Sequence, residues 1–378
     1  MMAKLGDICE ILDSKRVPIT ASNRKAGIYP YYGANGIQDY VDDYIFDDEL
    51  ILLAEDGGHF GSIDKPIAYR VSGKCWVNNH AHVLKPKSDV DVDYLCYSLM
   101  FRDVSSVVNG ATRKKLTQAD MREIEIPLLS LSEQLAIVEK LNKMFALISL
   151  RKQQLSKLDE LVKSRFIELF GDPVANPFGW RKLTVQQAID EKIIDKPLDG
   201  NHGGKHPKTS DYVPSGIPFI MANNLVEGKV DLENCAFISR KQADFLDKGF
   251  AKDGDVLITH KGTIGRTAIL HCSYPYIMLT PQVTYYRPKS GIIPEYLKAY
   301  FDTDYFQGII GNIASVGSTR AYIGITAQQE LPLIVPPMEL QNQFATFVEQ
   351  TDKSKLAIQQ SLEKLEMLKK SLMQKYFG

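Results

Sequence analysis

Two long segments of the chain carry apolar residues at alternating spacings of three and four, the pattern of an amphipathic α-helix. Residues 131–171 present one such stripe, whose apolar members are Val138, Leu141, Phe145, Ile148, Leu155, Val162, Phe166 and Leu169. Residues 336–378 carry a second stripe, weaker around Thr351 and Ser354, which includes Ile358, Leu362, Leu365 and Leu372. At about 1.5 Å per residue, roughly 39 helical residues would extend about 57 Å, more than the width of a small domain.

A stripe of this length has to be buried against a partner of similar length, and each helix offers the other one. The first helix leads from one globular region to the next, and the second helix begins where the second region ends. Pairing the two helices within one chain therefore requires them to run antiparallel. We predict an antiparallel intramolecular coiled coil with a globular domain at each end and an approximate internal two-fold axis. Two alternatives stay open, in which each helix packs on its own domain or mediates a homodimer.

The second half of the chain repeats the first half in the same order. The corresponding segments upstream of the helices are Tyr29-Pro30-Tyr31 with Ile217-Pro218-Phe219, Ala34-Asn35 with Ala222-Asn223, Gly57 with Gly262, Tyr94-Leu95 with Tyr296-Leu297, and Gly110-Ala111-Thr112-Arg113 with Gly317-Ser318-Thr319-Arg320. In the helical segments Gln134 aligns with Gln343, and the later match of Phe170 with Phe377 then requires a gap of two residues. The repeat predicts a first domain at 1–130, a first helix at 131–171, a second domain at 172–335 and a second helix at 336–378.

The two domains have the sequence pattern of mixed, strand-rich structure. Short apolar runs rich in aromatic and β-branched residues, such as 50–53, 255–259 and 282–286, are bounded by Gly, Asn, Asp and Pro and predict strands. Helical patches interrupt them near residues 94–101 and 294–301. We therefore predict the α+β fold class, with a curved sheet and long loops in each domain.

Composition narrows the class of protein without indicating its function. A chain of 378 residues with 44% hydrophobic and 24% charged residues suits a folded protein of two domains. The five cysteines are scattered and form no Cys-x-x-Cys pair, which favours a reducing compartment and argues against a structural zinc site. Since no apolar run reaches membrane-spanning length and the first residues lack a signal-peptide core, we expect a cytoplasmic protein with no membrane contact.

The motifs that would make this chain an enzyme are incomplete. A DNA methyltransferase needs a glycine-rich cofactor loop and an (Asn/Asp)-Pro-Pro-aromatic tetrapeptide, which neither residues 176–179 nor residues 335–338 provide. Residues 261–266 resemble a phosphate-binding loop but lack its Gly-Lys-Ser/Thr ending, so a tight turn between strands explains them better. His80 and His82 would share one face of a strand, but no third ligand is evident and we expect no metal site.

Two short motifs flank the helices. In segments 124–134 and 333–343 an apolar stretch, a proline and a glutamine lead into each helix. Phe170-Gly171-Asp172-Pro173 is followed by Asn176-Pro177 and Gly179-Trp180 where the first helix meets the second domain. In this order and twice over, these motifs resemble those of the specificity (S) subunits of type I restriction-modification systems, and the resemblance covers the whole chain.

The resemblance implies a function that composition could not indicate. Each target-recognition domain would read one half of a bipartite, asymmetric double-stranded DNA sequence, and the antiparallel helices would set the spacing between the halves. The helices would also dock two modification subunits, which carry S-adenosylmethionine and methylate adenine, and restriction subunits would join for cleavage. The chain itself would bind no cofactor and catalyse no reaction.

A net charge of −1 is the wrong sign for a lone DNA-binding protein, because Lys and Arg supply the phosphate contacts. Basic segments are nevertheless present, and partner subunits can supply further positive charge. Phosphate contacts set the register on DNA and base-edge contacts supply discrimination, so we expect the DNA-reading residues on polar loops. The candidates are the paired Thr112, Arg113 and Thr319, Arg320, with Lys114 and Lys115, then Lys261, Thr263, Arg266 and His59, then Lys205, His206 and Lys208. The simpler explanation for each is an ordinary solvated polar side chain.

Two other classes of protein fit part of the pattern. A stand-alone DNA methyltransferase would bind S-adenosylmethionine unaided, and a structural coiled-coil adapter would have no sequence-dependent affinity for DNA. The target bases themselves are beyond sequence reasoning, because a few loop side chains and the shape of the DNA decide them.

Overall fold

The computed structural model describes residues 1–62, 65–110, 114–315 and 321–378. The chain forms two compact units, of which the first comprises Met1–Gln153 with Ile358–Gly378 and the second comprises Gln154–Ala357. Each long helix thus contributes residues to both units. In the described part of the chain, no helix combines the length and the apolar character needed to cross a membrane.

The first unit contains the first domain and one end of each long helix. Its domain is built around a six-stranded sheet with the strand order β2-β7-β5-β6-β3-β4, in which β3 and β6 are parallel and the other neighbours are antiparallel. Strand β5 is central, and residues 50–54 are completely buried because they run along the middle of the sheet. A short antiparallel pair, β1 with β8, closes the domain. The elements are β1 Met2–Lys4, α1 Leu5–Ile8, β2 Cys9–Ile11, β3 Ala26–Gly33, β4 Gly36–Val41, β5 Phe46–Ala54, β6 Ala68–Val77, β7 Ala81–Pro86, α2 Val92–Met100, α3 Gln118–Arg122, β8 Glu125–Pro127 and α4 Leu131–Phe170.

The second unit contains the second domain and the other part of each long helix. A four-stranded sheet has the order β10-β20-β17-β18, a five-stranded sheet has the order β11-β15-β12-β19-β16, and the pair β9 with β21 closes the domain. The elements are β9 Arg181–Thr184, α5 Val185–Asp190, β10 Leu198–Asp199, β11 Tyr212–Val213, β12 Ile217–Ile220, β13 Leu225–Val226, β14 Lys229–Val230, β15 Ala236–Ile238, α6 Arg240–Asp244, β16 Phe250–Ala251, β17 Val256–Lys261, β18 Thr263–Ile269, β19 Ile277–Leu279, β20 Val283–Tyr286, α7 Pro294–Phe301, α8 Asp304–Ser315, α9 Ile325–Gln329, β21 Pro332–Val335 and α10 Met338–Phe377.

The two domains share one framework, as the repeat predicts. Strand β3 pairs in parallel with β6 through Tyr31 and Trp76, and β12 pairs in parallel with β19 through Phe219 and Met278. The α+β class and the duplicated domain are therefore confirmed. One expectation needs correction: the second domain has two sheets, because residues 270–276 interrupt the stretch that forms the single strand β6 in the first domain.

Within each unit the two long helices pack against each other and run antiparallel. In the first unit Leu141 lies in a core cluster with Leu372, and Lys152 pairs with Glu366 at 3.3 Å. In the second unit the rings of Phe166 and Phe344 are 5.7 Å apart. Among the predicted stripe residues Val138, Leu141, Ile148 and Phe166 are buried, whereas Phe145, Leu155, Val162, Leu169, Ile358, Leu362, Leu365 and Leu372 are half-buried.

The helices also pack on their own domains, so the first alternative considered above holds in addition to pairing. The Phe145 ring stacks on Tyr97 of α2 at 5.2 Å. In the second unit Phe344 of α10 lies in one core cluster with Tyr296 of α7, and Phe170 of α4 makes an edge contact with the same ring at 4.7 Å. Each helix end is therefore fixed by a three-way contact between α4, α10 and a domain helix.

A buried glutamine near the start of each long helix shows how the two copies align. Gln134 accepts a hydrogen bond from the Asp91 N–H at 2.8 Å, and Gln341 accepts one from the Ile293 N–H at 3.0 Å. Each amide also donates to two backbone carbonyls. Gln134 thus corresponds to Gln341 and not to Gln343 in the repeat. The predicted alignment with a two-residue gap was wrong. Both helices are 40 residues long and correspond without a gap.

Candidate nucleic-acid interface

A group of charged side chains lies where strands β5 and β7 of the first unit meet. We call Asp13, Arg16, Glu55, His82 and Lys115 the first polar cluster. Arg16 Nη1 donates to Glu55 at 2.6 Å and to the Ala81 carbonyl at 2.7 Å, and Arg16 Nη2 lies 3.5 Å from Asp13. His82 Nδ1 lies 2.6 Å from the Asp13 carboxylate, and Lys115 Nζ lies 2.9 Å from Glu55. Every carboxylate in the cluster therefore has a cationic or imidazole partner.

The partners keep the carboxylates of the first polar cluster ionised despite their burial. Burial raises the pKa of Asp13, but hydrogen bonds from His82 and the Val83 N–H, together with the charge of Arg16, bring that pKa below its ordinary value. Burial likewise raises the pKa of Glu55, and hydrogen bonds from Arg16 and Lys115 outweigh it. The ion pairs of Arg16 with Asp13 and Glu55 are largely buried, and such pairs are costly to break one partner at a time.

The first polar cluster includes ligand types that a metal ion could use. Oxygen or nitrogen atoms of Asp13, Glu55 and His82 all lie within 4.8 Å of one another. The sequence shows no third ligand for His80 and His82. The structure brings Asp13 and Glu55 to His82. It separates His80, which lies 2.7 Å from Asp56. Since Arg16 and Lys115 already neutralise these carboxylates, the arrangement is that of an ion-pair network.

The corresponding strand ends of the second unit carry different side chains. We call Asp199, His202, Lys248, His260 and Lys261 the second polar cluster. Asp199 is buried, accepts from His202 Nε2 at 2.6 Å and pairs with Lys248. Burial raises the pKa of Asp199, and hydrogen bonds from Lys248 and His202 hold it below its ordinary value. His260 is buried, and burial lowers its pKa.

An open cleft of about 330 Å³ lies beside the second polar cluster. Its walls include His202, His206, Lys261, Thr280 and Gln282. Lys261 Nζ lies 5.9 Å from the Tyr322 ring centroid, and no ion pair joins it to a carboxylate in the described part of the chain. Thr280 Oγ1 and His206 Nδ1 are buried atoms without a hydrogen-bond partner among the described residues. A positive charge and polar side chains therefore line a space that can hold an anionic group.

The first unit has a cleft of about 350 Å³ in a different part of its domain. Its lining includes the aromatic rings of Tyr32 and Tyr69, the cation Lys65 and the imidazole of His59. Aromatic rings and cations together are typical of surfaces that contact nucleotides. Of the candidates in this domain, His59 thus lines a cleft, Lys115 is held by Glu55 and Lys114 is exposed.

The candidate residues of the second domain fall into two groups. His206 and Lys261 line the same cleft, so the structure brings together two loops that were separate predictions. Thr263 and Arg266 are exposed on β18, which follows a tight turn at Gly262 with φ of 80°. Lys205 pairs with Asp247 on the surface, and Lys208 is exposed. The remaining candidates, Thr112, Arg113, Thr319 and Arg320, lie outside the described residues.

Sequence reasoning missed most members of the two polar clusters. Asp13 and Arg16 correspond to Asp199 and His202, because β2 pairs with β7 as β10 pairs with β20. The detectable signal was a Leu-Asp pair followed three positions later by a basic residue, at Leu12-Asp13 and again at Leu198-Asp199. Extending the repeat comparison upstream of Tyr29 would have found it.

The sequence of this chain is similar to one family of known proteins. The family described as the type I restriction modification DNA specificity domain matches residues 1–160 and 198–367. A putative type I restriction enzyme specificity subunit from Haemophilus influenzae is 28% identical over 98% of this chain and 94% of that protein. The EcoKI specificity subunit from Escherichia coli K12 is 22% identical over 87% of this chain and 74% of that protein.

Solved structures show the same fold. The S subunit of a type I restriction-modification system from M. genitalium superposes with a TM-score of 0.61 at 14% sequence identity, covering 100% of this chain and 96% of that one. A chain from a structure of complex assembly in a type I R-M system gives a TM-score of 0.56 at 17% identity, covering 100% of this chain and 97% of that one.

Proposed function

We propose that this chain, which belongs to the type I restriction-modification DNA specificity family, reads a bipartite and asymmetric DNA sequence with its two domains. Membership follows from the family match over two long segments of the chain. The chain is therefore a non-catalytic specificity subunit that provides DNA target recognition in a complex with modification and restriction subunits. The division of the target between the domains is the part that we infer.

The observation that carries the proposal is that one framework presents different chemistry at the same positions. Glu55 and Asp56 at the end of β5 correspond to His260 and Lys261 at the end of β17, since the Glu55 N–H donates to the His80 carbonyl as the His260 N–H donates to that of Gln282. Acids in one domain are thus replaced by bases in the other. Two domains that differ in this way would favour different base sequences, which is what an asymmetric target requires.

The cleft of the second domain is suited to a phosphate of the DNA backbone. Lys261 supplies a positive charge, and the polar side chains of His206 and Thr280 line the same space. Contacts of this type fix the position of a duplex and leave the bases to neighbouring loops. We therefore assign Lys261, His206 and Thr280 to backbone binding in the second half-site.

Exchanging one domain tests the division of the target. Residues 172–335 are replaced by the recognition domain of another specificity subunit, and methylated sites are mapped in a host that also expresses the modification subunit. One half of the methylated sequence should change completely while the other half and the spacing stay the same. A change in both halves, or in neither, would contradict the assignment of one half-site to each domain.

The two long helices are proposed to set the spacing between the half-sites. Supporting this are their equal length and their antiparallel contacts in both units. Four residues inserted into each helix, after Gln153 and before Ile358, add about 6 Å, or about two base pairs at 3.4 Å each. Methylation mapping should show a longer spacer or no assembly, and an unchanged spacer would remove this role.

Equivalent exposed apolar residues on the helices are candidate contacts for two modification subunits. Leu161 of α4 corresponds to Leu368 of α10, and their exposed fractions are 48% and 47%. Each substitution, Leu161→Asp or Leu368→Asp, should reduce the number of bound modification subunits from two to one in native mass spectrometry. Two subunits retained in both variants would place docking elsewhere.

S-adenosylmethionine is proposed to reside on the modification subunit. Supporting this is the incomplete methyltransferase signature at residues 176–179 and 335–338. Calorimetry should detect S-adenosylmethionine binding to the complex and none to this chain alone. Binding by the isolated chain would favour the stand-alone methyltransferase, and a complex without sequence-dependent DNA affinity would favour the adapter.

A further inference from the structure

Each domain contains a completely buried histidine. The two histidines hydrogen bond to the backbone of equivalent segments, one in each domain. His82 and His260 are both 1% exposed. His82 Nε2 lies 2.9 Å from the carbonyl oxygen of Leu116, and His260 Nδ1 lies 2.8 Å from that of Ile323. The N–H groups of Leu116 and Ile323 donate to the Glu55 and His260 carbonyls at 2.7 and 2.9 Å. Leu116 and Ile323 are therefore equivalent residues, and each is held at both of its backbone polar groups.

The two histidines are not equivalent in the framework. The position of His82 is occupied by Thr284 in the second domain, because Asp13 faces His82 as Asp199 faces Thr284 across the paired strands. The position of His260 is occupied by Glu55 in the first domain. The same hydrogen bond is thus made from two different strands in the two copies. The hydrogen bond to the Leu116 or Ile323 carbonyl is present in both domains although its donor lies on a different strand. This indicates that the position of the Leu116 or Ile323 segment is what has to be kept.

In each domain the segment that the histidine holds contains or contacts a candidate DNA-binding lysine. Lys115 directly precedes Leu116 and forms an isolated antiparallel bridge with Asp56. Tyr322 directly precedes Ile323 and forms the corresponding bridge with Lys261, whose ammonium lies near the Tyr322 ring. A shift of Leu116 or Ile323 would therefore move Lys115 or the Tyr322 and Lys261 pair.

We infer that His82 and His260 are positioning residues for DNA recognition, each fixing the edge of its own domain that holds Lys115 or Lys261 without touching DNA. The inference rests on the proposed reading of one half-site by each domain. His82 bridges two segments, since its other ring nitrogen faces Asp13. The Ile323 carbonyl also accepts from Gln328 Nε2 at 3.1 Å, so the second domain has a second donor for the same contact. The first domain depends on its histidine more strongly.

The experiment uses the full chain with its modification subunit and measures methylation of targets that carry single-base changes in either half-site. His82→Leu leaves the buried Leu116 carbonyl without this donor, so the segment is no longer held in place. Discrimination at the half-site read by the first domain should fall roughly tenfold or more while the other half-site is unaffected. His82→Gln, whose amide can still donate to Leu116, should recover most of that loss. A role in stability alone would not produce a change confined to one half-site.

The second domain provides the matched comparison. His260→Leu should reduce discrimination only at the other half-site and by less than His82→Leu, and His260→Leu with Gln328→Leu should reduce it further. Variants that discriminate as well as the unchanged protein, or that lose both half-sites equally, would overturn the inference while leaving the proposed function intact. An unchanged complex without bipartite sequence preference would instead overturn the proposed function, and with it this inference.

Discussion

The first and second polar clusters occupy equivalent strand ends in the two domains, but their charges are balanced in different ways. In the first cluster Arg16 and Lys115 neutralise two buried or half-buried carboxylates, so the charges are satisfied internally. In the second cluster Asp199 is satisfied by Lys248 and His202, whereas Lys261 faces an open cleft. The difference teaches that a duplicated scaffold can keep its backbone contacts and exchange the charges around them. The charges of one cluster are balanced within its unit, and the other cluster leaves the positive charge of Lys261 beside an open cleft.

The largest effect is expected where the buried ion pairs of the first cluster are broken. Arg16 is 12% exposed and contacts both Asp13 and Glu55, so Arg16→Met should destabilise the first unit by about 3 kcal/mol. His202→Ala at the corresponding, solvent-exposed position should cost less than about 1 kcal/mol. Hydrogen exchange of the β5 and β17 amides under native conditions measures the two effects separately. Similar protection losses in both variants would show that the clusters do not differ.

A smaller effect is expected in DNA affinity when Lys261 is replaced, which has no carboxylate partner among the residues that the structure describes. Lys261→Gln should make the slope of log affinity against log salt shallower by about 0.9, because one phosphate contact is lost. The loss should be uniform across target sequences. Asp56→Asn at the corresponding position of the first domain should leave the slope unchanged. Lys289→Gln is the matched control, since Lys289 pairs with Asp195 beyond the far end of β20.

The smallest effect is the loss of folding stability at low pH, which has a different cause in each unit. Burial lowers the pKa of His206 and His260, so below their ordinary value near 6.5 the unfolded chain binds protons that the folded chain does not. The second unit should lose stability as pH falls from about 6.5. The lowered pKa values of Asp13 and Glu55 give the first unit a contribution that is lost only below about pH 4. Thermal unfolding at pH 7.5 and 5.5 checks this order. The stability of the His260→Asn variant should depend less on pH than that of the unchanged protein.

Much of the framework could be predicted because it depends on local patterns. The 3,4 spacing places α4 and α10 within a few residues of their observed ends, and residues 294–301 form α7 as expected. The predicted turn at residues 261–266 is the tight connection between β17 and β18. These features follow from periodicity and glycine placement over short distances along the chain. The exact match of the two helices was missed, because a proline before each helix suggested an alignment that the buried Gln134 and Gln341 exclude.

The polar clusters could not be predicted in the same way, because their members come from distant segments. Asp13, Glu55, His82 and Leu116 meet only once the strand order of the sheet is known. The repeat was also hidden at these positions, since Glu55 and Asp56 have no chemical resemblance to His260 and Lys261. A pattern search that rewards similar residue types discards the positions where two reading domains have to differ.

The short ladders that close each domain have a practical consequence. Ala3 pairs with Ile126 in the first domain, and Leu183 pairs with Leu333 in the second, so each domain enters and leaves at one seam. Everything between the two strands of a seam forms a cassette, whose replacement has to match these backbone hydrogen bonds and the contacts of its domain with α4 and α10. New recognition can then arise by wholesale exchange of a module, without gradual redesign of the helical scaffold that carries it.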